Sequence, residues 1–113
     1  MKEVIKQGQI IEINFNPQKG HEQRGHRPAI VVSNESFNKR TSVIWCCPIT
    51  HTDRPYPLHI ELPEGLKKTG FVLCDHLRSM DIEARGYRKV EMVPEYFLGK
   101  VLHILKLPLD RSV

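Results

Sequence analysis

Between residues 21 and 27 the chain sets six hydrogen-bonding side chains in seven positions: His21, Glu22, Gln23, Arg24, His26 and Arg27. Histidine and glutamate move protons, and arginine holds phosphoryl or carboxylate oxygens through a planar fork of N–H donors. A merely solvated polar loop has the same composition and does none of this. Arg27 is set apart by its successors, Pro28 and then a buried apolar run. It sits at a rigid strand entry from which a guanidinium can be aimed. The second candidate is Pro48-Ile49-Thr50-His51, where the Thr50 hydroxyl either faces a cleft at a strand end or serves as a turn residue.

Two other chemistries fail on spacing. Gly20 to Gly25 has the glycine spacing of a phosphate-binding P-loop. That motif continues with Lys and Ser/Thr and opens a helix, whereas His26-Arg27-Pro28 leads into a strand. Cys46, Cys47, Cys74 and the histidines form no C-x-x-C or H-x-x-x-H pattern. Neighbours in a strand point to opposite faces, so Cys46 and Cys47 cannot readily share an ion and read as core residues. No metal site and no cofactor are expected.

The elements that must position these residues are mostly short strands. Gln9 to Phe15 alternates Ile11, Ile13 and Phe15 with Glu12 and Asn14, the period of a half-buried strand. Asn16 to Gly20 supplies turn chemistry, and Gly20 to Arg27, without periodicity, reads as a loop long enough to be functional. Pro28 to Ser33 is a continuous apolar run suited to a strand covered on both faces. Asn34 to Arg40 reads as a turn, Ser42 to Ile49 as a third strand and Gly70 to Cys74 as a fifth. Between them Leu58 to Leu62 alternates, with Leu58, Ile60 and Leu62 on one face and His59 and Glu61 on the other. Leu77 to Met80 and Arg88 to Val93 supply further short strands. One helix is convincing: Pro94 suits a first helical position, Phe97, Leu98, Val101, Leu102 and Leu105 form a stripe, and Pro108 stops it. These elements imply a mainly β fold class, a small antiparallel barrel with a C-terminal helix packed on it.

The 113 residues suit one domain, spanning 1–113, and need no disulfide or metal staple. No secretory signal or transmembrane stretch can be drawn, and an odd, unpatterned set of three cysteines fits a reducing compartment, so a cytoplasmic protein with no membrane partner is expected. The net charge of +4 allows a polyanionic partner without requiring one. The basic residues are scattered, so any basic surface is assembled by folding.

Four ordered blocks resemble one family. Gly20-His21-Glu22-Gln23 with Gly25-x-Arg27-Pro28-Ala29-Ile30-Val31-Val32-Ser33 resembles the opening signature of MazF/PemK-type toxins. Cys47-Pro48-Ile49-Thr50 resembles the second block, Asp75-His76-Leu77-Arg78-Ser79-Met80-Asp81 the third, and Pro94-Glu95 opening a final helix the C-terminus. The blocks span roughly Gly8 to Leu105. The resemblance implies an SH3-like barrel that works as a homodimer, cuts single-stranded messenger RNA at short motifs without a metal, and is held inactive by a cognate antitoxin protein.

The family's catalytic arginine and threonine fall on Arg27 and Thr50, its loop glutamate on Glu22, and the PemK branch's loop histidine on His21. That branch also uses an aspartate, here Asp75, with an arginine two residues earlier, where this chain has Leu73. The Arg27/Thr50 scheme therefore transfers more completely. His76 replaces the family's usual glutamine. Glu22, His21 and His26 are candidate proton carriers, and adjacency to Arg27 favours His26 or Glu22. Gln23, Arg24, Tyr56, Asp75, His76 and Arg78 are candidate RNA contacts; Tyr56 either stacks on a base or is simply exposed by the rigid Arg54-Pro55-Tyr56-Pro57 loop. Two further readings belong to other classes: a non-enzymatic gyrase poison of the CcdB type, which has no chemical reason to keep Arg27 and Thr50, and a plain RNA-binding barrel.

Overall fold

The computed structural model describes residues 4–15, 26–52 and 56–112. Its elements run β1 (Gln9–Asn14), β2 (His26–Val31), α1 (Glu35–Thr41), β3 (Val43–Thr50), β4 (His59–Glu61), β5 (Phe71–Leu73), β6 (Arg78–Asp81), α2 (Ile82–Arg85), β7 (Tyr87–Met92) and α3 (Glu95–Lys106), ending in a 3-10 turn, Leu107–Leu109. All the strand pairs are antiparallel, in the order β4-β5-β3-β2-β1-β7, with β6 pairing beside β5 along β3. This is the mainly β, antiparallel fold with a C-terminal helix that the patterning predicts.

Side chains tie the connection between β4 and β5 to β1 and β7. Glu91 on β7 accepts the backbone N–H groups of Lys67 and Lys68 at 2.8 and 2.9 Å. Glu12 on β1 takes the Lys68 ammonium and, at 2.6 Å, the Arg88 guanidinium. Among the described residues these bonds draw the sheet round without a ladder between β4 and β7.

Alternation along the strands makes two cores. On one face Ile10, Ile30, Val32, Cys47, Ile49, Ile60 and Val72 pack under Phe97, Leu98 and Val101 of α3. On the other face Ile5, Ile11, Ile13, Ala29, Val31, Ile44, Cys46 and Met80 form a second cluster. Cys46 and Cys47 do lie in different cores, as neighbouring strand residues must. Burial withholds the solvation a thiolate needs, so it pushes the Cys46 and Cys74 thiols up to about 11 and Cys47 higher still.

Three sequence expectations need correction. Asn34 to Arg40 is not a turn but leads into α1: the Asn34 side chain caps it by accepting the Phe37 N–H at 2.8 Å. No apolar stripe marks this helix because the residue it buries is Asn38, whose amide donates to the carbonyls of Ile5 and Ser33 at 2.8 and 3.2 Å. The helical turn α2, capped by Asp81, is too short to show a period. The stretch read as a loop through Arg27 is already strand from His26, and Pro94 is the N-cap of α3 rather than its first residue.

Candidate active site

Arg27 lies on β2 opposite Ile13 of β1, and Thr50 is the last residue of β3, opposite Phe71 of β5. β2 and β3 pair from Ala29/Pro48 to Val31/Cys46. Continuing that register two residues brings Arg27 level with Thr50. Period-two alternation puts both side chains on one face: Arg27 with Ala29 and Val31, Thr50 with Pro48 and Cys46. Arg27 is exposed and Thr50 half-buried. The Thr50 oxygen accepts the Thr52 backbone N–H at 3.2 Å, a bond that uses the hydroxyl as acceptor and not as donor.

Thr50 opens onto a cleft of about 220 Å³ lined also by Thr52, His59, Leu73 and His76. Its far wall is built by the β4–β5 ladder, where His59 stands opposite Leu73. After β5 the chain turns, the His76 N–H donating to the Leu73 carbonyl at 3.0 Å, and this turn presents Asp75 and His76. Asp75 Oδ1 lies 3.0 Å from His59 Nε2, and Asp75 Oδ2 lies 3.6 Å from His76 Nε2. Tyr56 packs against His59 with ring centres 5.0 Å apart and is half exposed. Folding thus gathers Thr50, Tyr56, Asp75 and His76, three of them named as RNA contacts from sequence alone, around a histidine that sequence patterning did not single out. The signal for His59 was present in the alternation, which puts it on the polar face of its strand.

Arg78 is on β6 opposite Cys46, on the same face as Arg27, and its guanidinium carbon sits 5.1 Å from the Phe15 ring centre. That cation–π contact fixes an exposed cation beside the strand that carries Ile13. His26 is different. As the residue before Arg27 in one strand, it points to the opposite face, so adjacency in sequence does not make it a base for Arg27. Among the described residues its Nε2 is buried without a hydrogen-bond partner. His21, Glu22, Gln23 and Arg24 lie outside the described residues.

The family model for PemK-like, MazF-like toxins of type II toxin–antitoxin systems matches residues 6–109. The Escherichia coli protein named endoribonuclease PemK is 34% identical over 105 residues, covering 89% of this chain and 79% of that one. The endoribonuclease toxin MazF of Escherichia coli strain K12 is 39% identical over 82 residues, 73% of each chain. Among solved structures, MazF of Deinococcus radiodurans superposes with a TM-score of 0.83 at 37% identity, covering 96% of this chain and 98% of that one. A MazE–MazF complex from the same organism gives 0.83 at 32% identity, covering 98% of this chain and all of the matched one. No helix among the described residues is long and apolar enough to cross a membrane. With nearly the whole chain matched by the family model and by endoribonucleases of the same length class, this protein belongs to the PemK-like, MazF-like toxin family of type II toxin–antitoxin systems.

Proposed function

We propose that the protein is the toxin of a type II toxin–antitoxin pair, a sequence-specific, metal-independent endoribonuclease that cuts single-stranded messenger RNA in the cytoplasm. The observation that carries this reading is the placement of Arg27 and Thr50 at matching levels of adjacent strands, on one face, with Thr50 lining a cleft. The endoribonuclease names of its relatives agree with it.

RNA brings its own nucleophile. The 2′-hydroxyl attacks the adjacent phosphorus, the 5′-oxygen leaves, and the products are a 2′,3′-cyclic phosphate (or the 3′-phosphate from its hydrolysis) and a 5′-hydroxyl. The enzyme has to stabilise the crowded anionic phosphorane and move two protons. Arg27 holds two phosphoryl oxygens with its fork. Thr50 donates a further hydrogen bond to the same group. Glu22 and His21 are the candidate proton carriers; the orientation of His26 argues against it. Tyr56, Asp75, His76 and Arg78, with Gln23 and Arg24, meet the flanking nucleotides.

The chain works as a homodimer, and its RNA groove also receives the acidic segment of a cognate antitoxin, because both ligands present anions to the same arginines. The solved complex of the Deinococcus radiodurans relative with MazE supports that partner. Incubation with a long single-stranded RNA tests the whole reading: discrete fragments carrying 5′-hydroxyl ends are expected. RNA binding without turnover would make the protein an RNA-binding barrel, and neither binding nor cleavage would favour a gyrase poison of the CcdB type.

A further inference from the structure

Sequence spacing gives no metal motif, yet folding brings His59, Asp75 and His76 together so that one ligand atom from each lies within 4.8 Å of the others. The three come from β4 and from the turn after β5, two segments held in register by the ladder His59/Leu73, Ile60/Val72 and Glu61/Phe71. The Cys74 N–H to Leu58 carbonyl bond at 3.0 Å pins the turn to the entry of β4. This positions the two imidazoles on either side of one carboxylate, with ring centres 6.4 Å apart.

From this the geometry points to a binding site for a late first-row divalent cation, of the Zn²⁺ class, on His59, Asp75 and His76. Two imidazoles and one carboxylate suit Zn²⁺, Co²⁺ or Ni²⁺, whereas Mg²⁺ and Ca²⁺ prefer all-oxygen shells. Four-coordinate zinc with bonds of about 2.0–2.2 Å sets its ligand atoms roughly 3.3 Å apart. His59 Nε2 lies 3.0 Å from Asp75 Oδ1 and His76 Nε2 lies 3.6 Å from Asp75 Oδ2, so each imidazole meets its own carboxylate oxygen near that spacing, and the 4.8 Å spread of the three single ligand atoms has to contract slightly around an ion. His76 is half exposed and free to adjust by tenths of an ångström, while His59 is 10% exposed and held. Three protein ligands leave a position open toward the cleft that Thr50 and Thr52 line. The three thiols are buried in the two cores, Cys46 in one and Cys47 and Cys74 in the other, and none belongs to the His59–Asp75–His76 group.

The consequence for RNA rests on the function proposed above: an ion in this site engages Asp75 and His76, which that function assigns to RNA contacts, so it slows cleavage. The protein is thus a metal-free nuclease that a zinc-like ion restrains.

Cobalt is the probe. The tag-free chain, stripped with chelator and dialysed, is titrated with Co²⁺ while the visible spectrum is recorded. The expected result is one equivalent bound, with the visible bands of four- or five-coordinate Co²⁺ and no strong near-ultraviolet thiolate band. Asp75→Asn and the more exposed His76→Ala should each weaken binding by at least about tenfold, with far-ultraviolet circular dichroism showing the fold kept. His103→Ala, on α3, should not change it. A spectrum of hexa-aquo Co²⁺ alone, a thiolate band, or binding unaffected in folded His76→Ala would overturn the site. Zn²⁺ at one equivalent should slow RNA cleavage reversibly with EDTA; bound Zn²⁺ with an unchanged rate would overturn the inhibitory role. The cobalt titration uses no RNA, so failure of the nuclease reading leaves the metal result readable on its own.

Discussion

Gly70 passes so close to the end of β3 that a Cβ on it would collide with the Thr50 carbonyl oxygen and lie 3.0 Å from the carbonyl carbon. Its φ of +126° is also a conformation that L side chains rarely adopt. The Thr50 backbone is therefore held from outside by the residue that leads into β5. Gly70→Ala should destabilise the fold by about 2 kcal/mol or more, from strain and collision together. Thermal unfolding measures it; an unchanged midpoint would show that Thr50 is not held this way.

The cysteines give a prediction about reactivity. A raised thiol pKa leaves little thiolate at neutral pH, and all three are buried. Native protein at pH 8 should react with a thiol reagent only at the rate of unfolding, and all three thiols should react promptly in denaturant. Rapid labelling of one thiol in the native state would contradict the packing.

Glu12 gives a prediction about pH. The Lys68 ammonium beside it, joined by the Arg88 guanidinium, holds its carboxyl below its ordinary value of 4.5, against an opposing effect of burial. A carboxylate with a lowered folded-state pKa stabilises fully above the ordinary value, and the effect fades as pH falls through the lower one. Glu12→Gln should cost roughly 1 kcal/mol at pH 7, a modest figure because Arg88 is mostly exposed. Denaturant titrations should show the gap closing as pH drops below the ordinary value of 4.5. A gap that stays constant or widens in acid would rule out the ion pair as its source.

Much of this fold is written in alternation. Ile11 and Ile13 against Glu12, and Ile60 and Leu62 against His59, show their faces directly because each strand buries one side. The Phe97–Leu98–Val101 stripe does the same for α3. What stayed hidden is what burial patterns cannot carry: α1 buries a hydrogen-bonded asparagine, and α2 is one turn long. The candidate site is only partly written in local sequence. Arg27 and Thr50 could be named from the four-block resemblance, but their alignment depends on the β2–β3 register, a long-range fact. The His59–Asp75–His76 group is likewise made by pairing between β4 and β5, and no local spacing encodes it. Adjacency in sequence favours His26 as a partner for Arg27, whereas residues adjacent along a strand face opposite ways.

The nucleophile can be tested with the metal requirement. Replacing the nucleotide 5′ to the cut with its 2′-deoxy form should abolish cleavage and leave binding largely intact. Excess EDTA should leave the rate on ordinary RNA undiminished. Cleavage of the deoxy substrate would mean that water or a side chain attacks phosphorus, and loss of rate in EDTA would mean that a metal assists.

In the function proposed above, Arg27 and Thr50 serve one phosphate from adjacent strands. Single-turnover cleavage of one RNA by wild type, Arg27→Ala, Thr50→Ala and the double variant tests it most directly, with circular dichroism confirming that each is folded. Arg27→Ala should slow cleavage by about three orders of magnitude or more, the scale of losing a charged transition-state contact, and Thr50→Ala by about one to three. The double variant should lose less than the two effects multiplied, as residues acting on one group do. A folded Arg27→Ala protein that cuts at a near-normal rate would contradict the account.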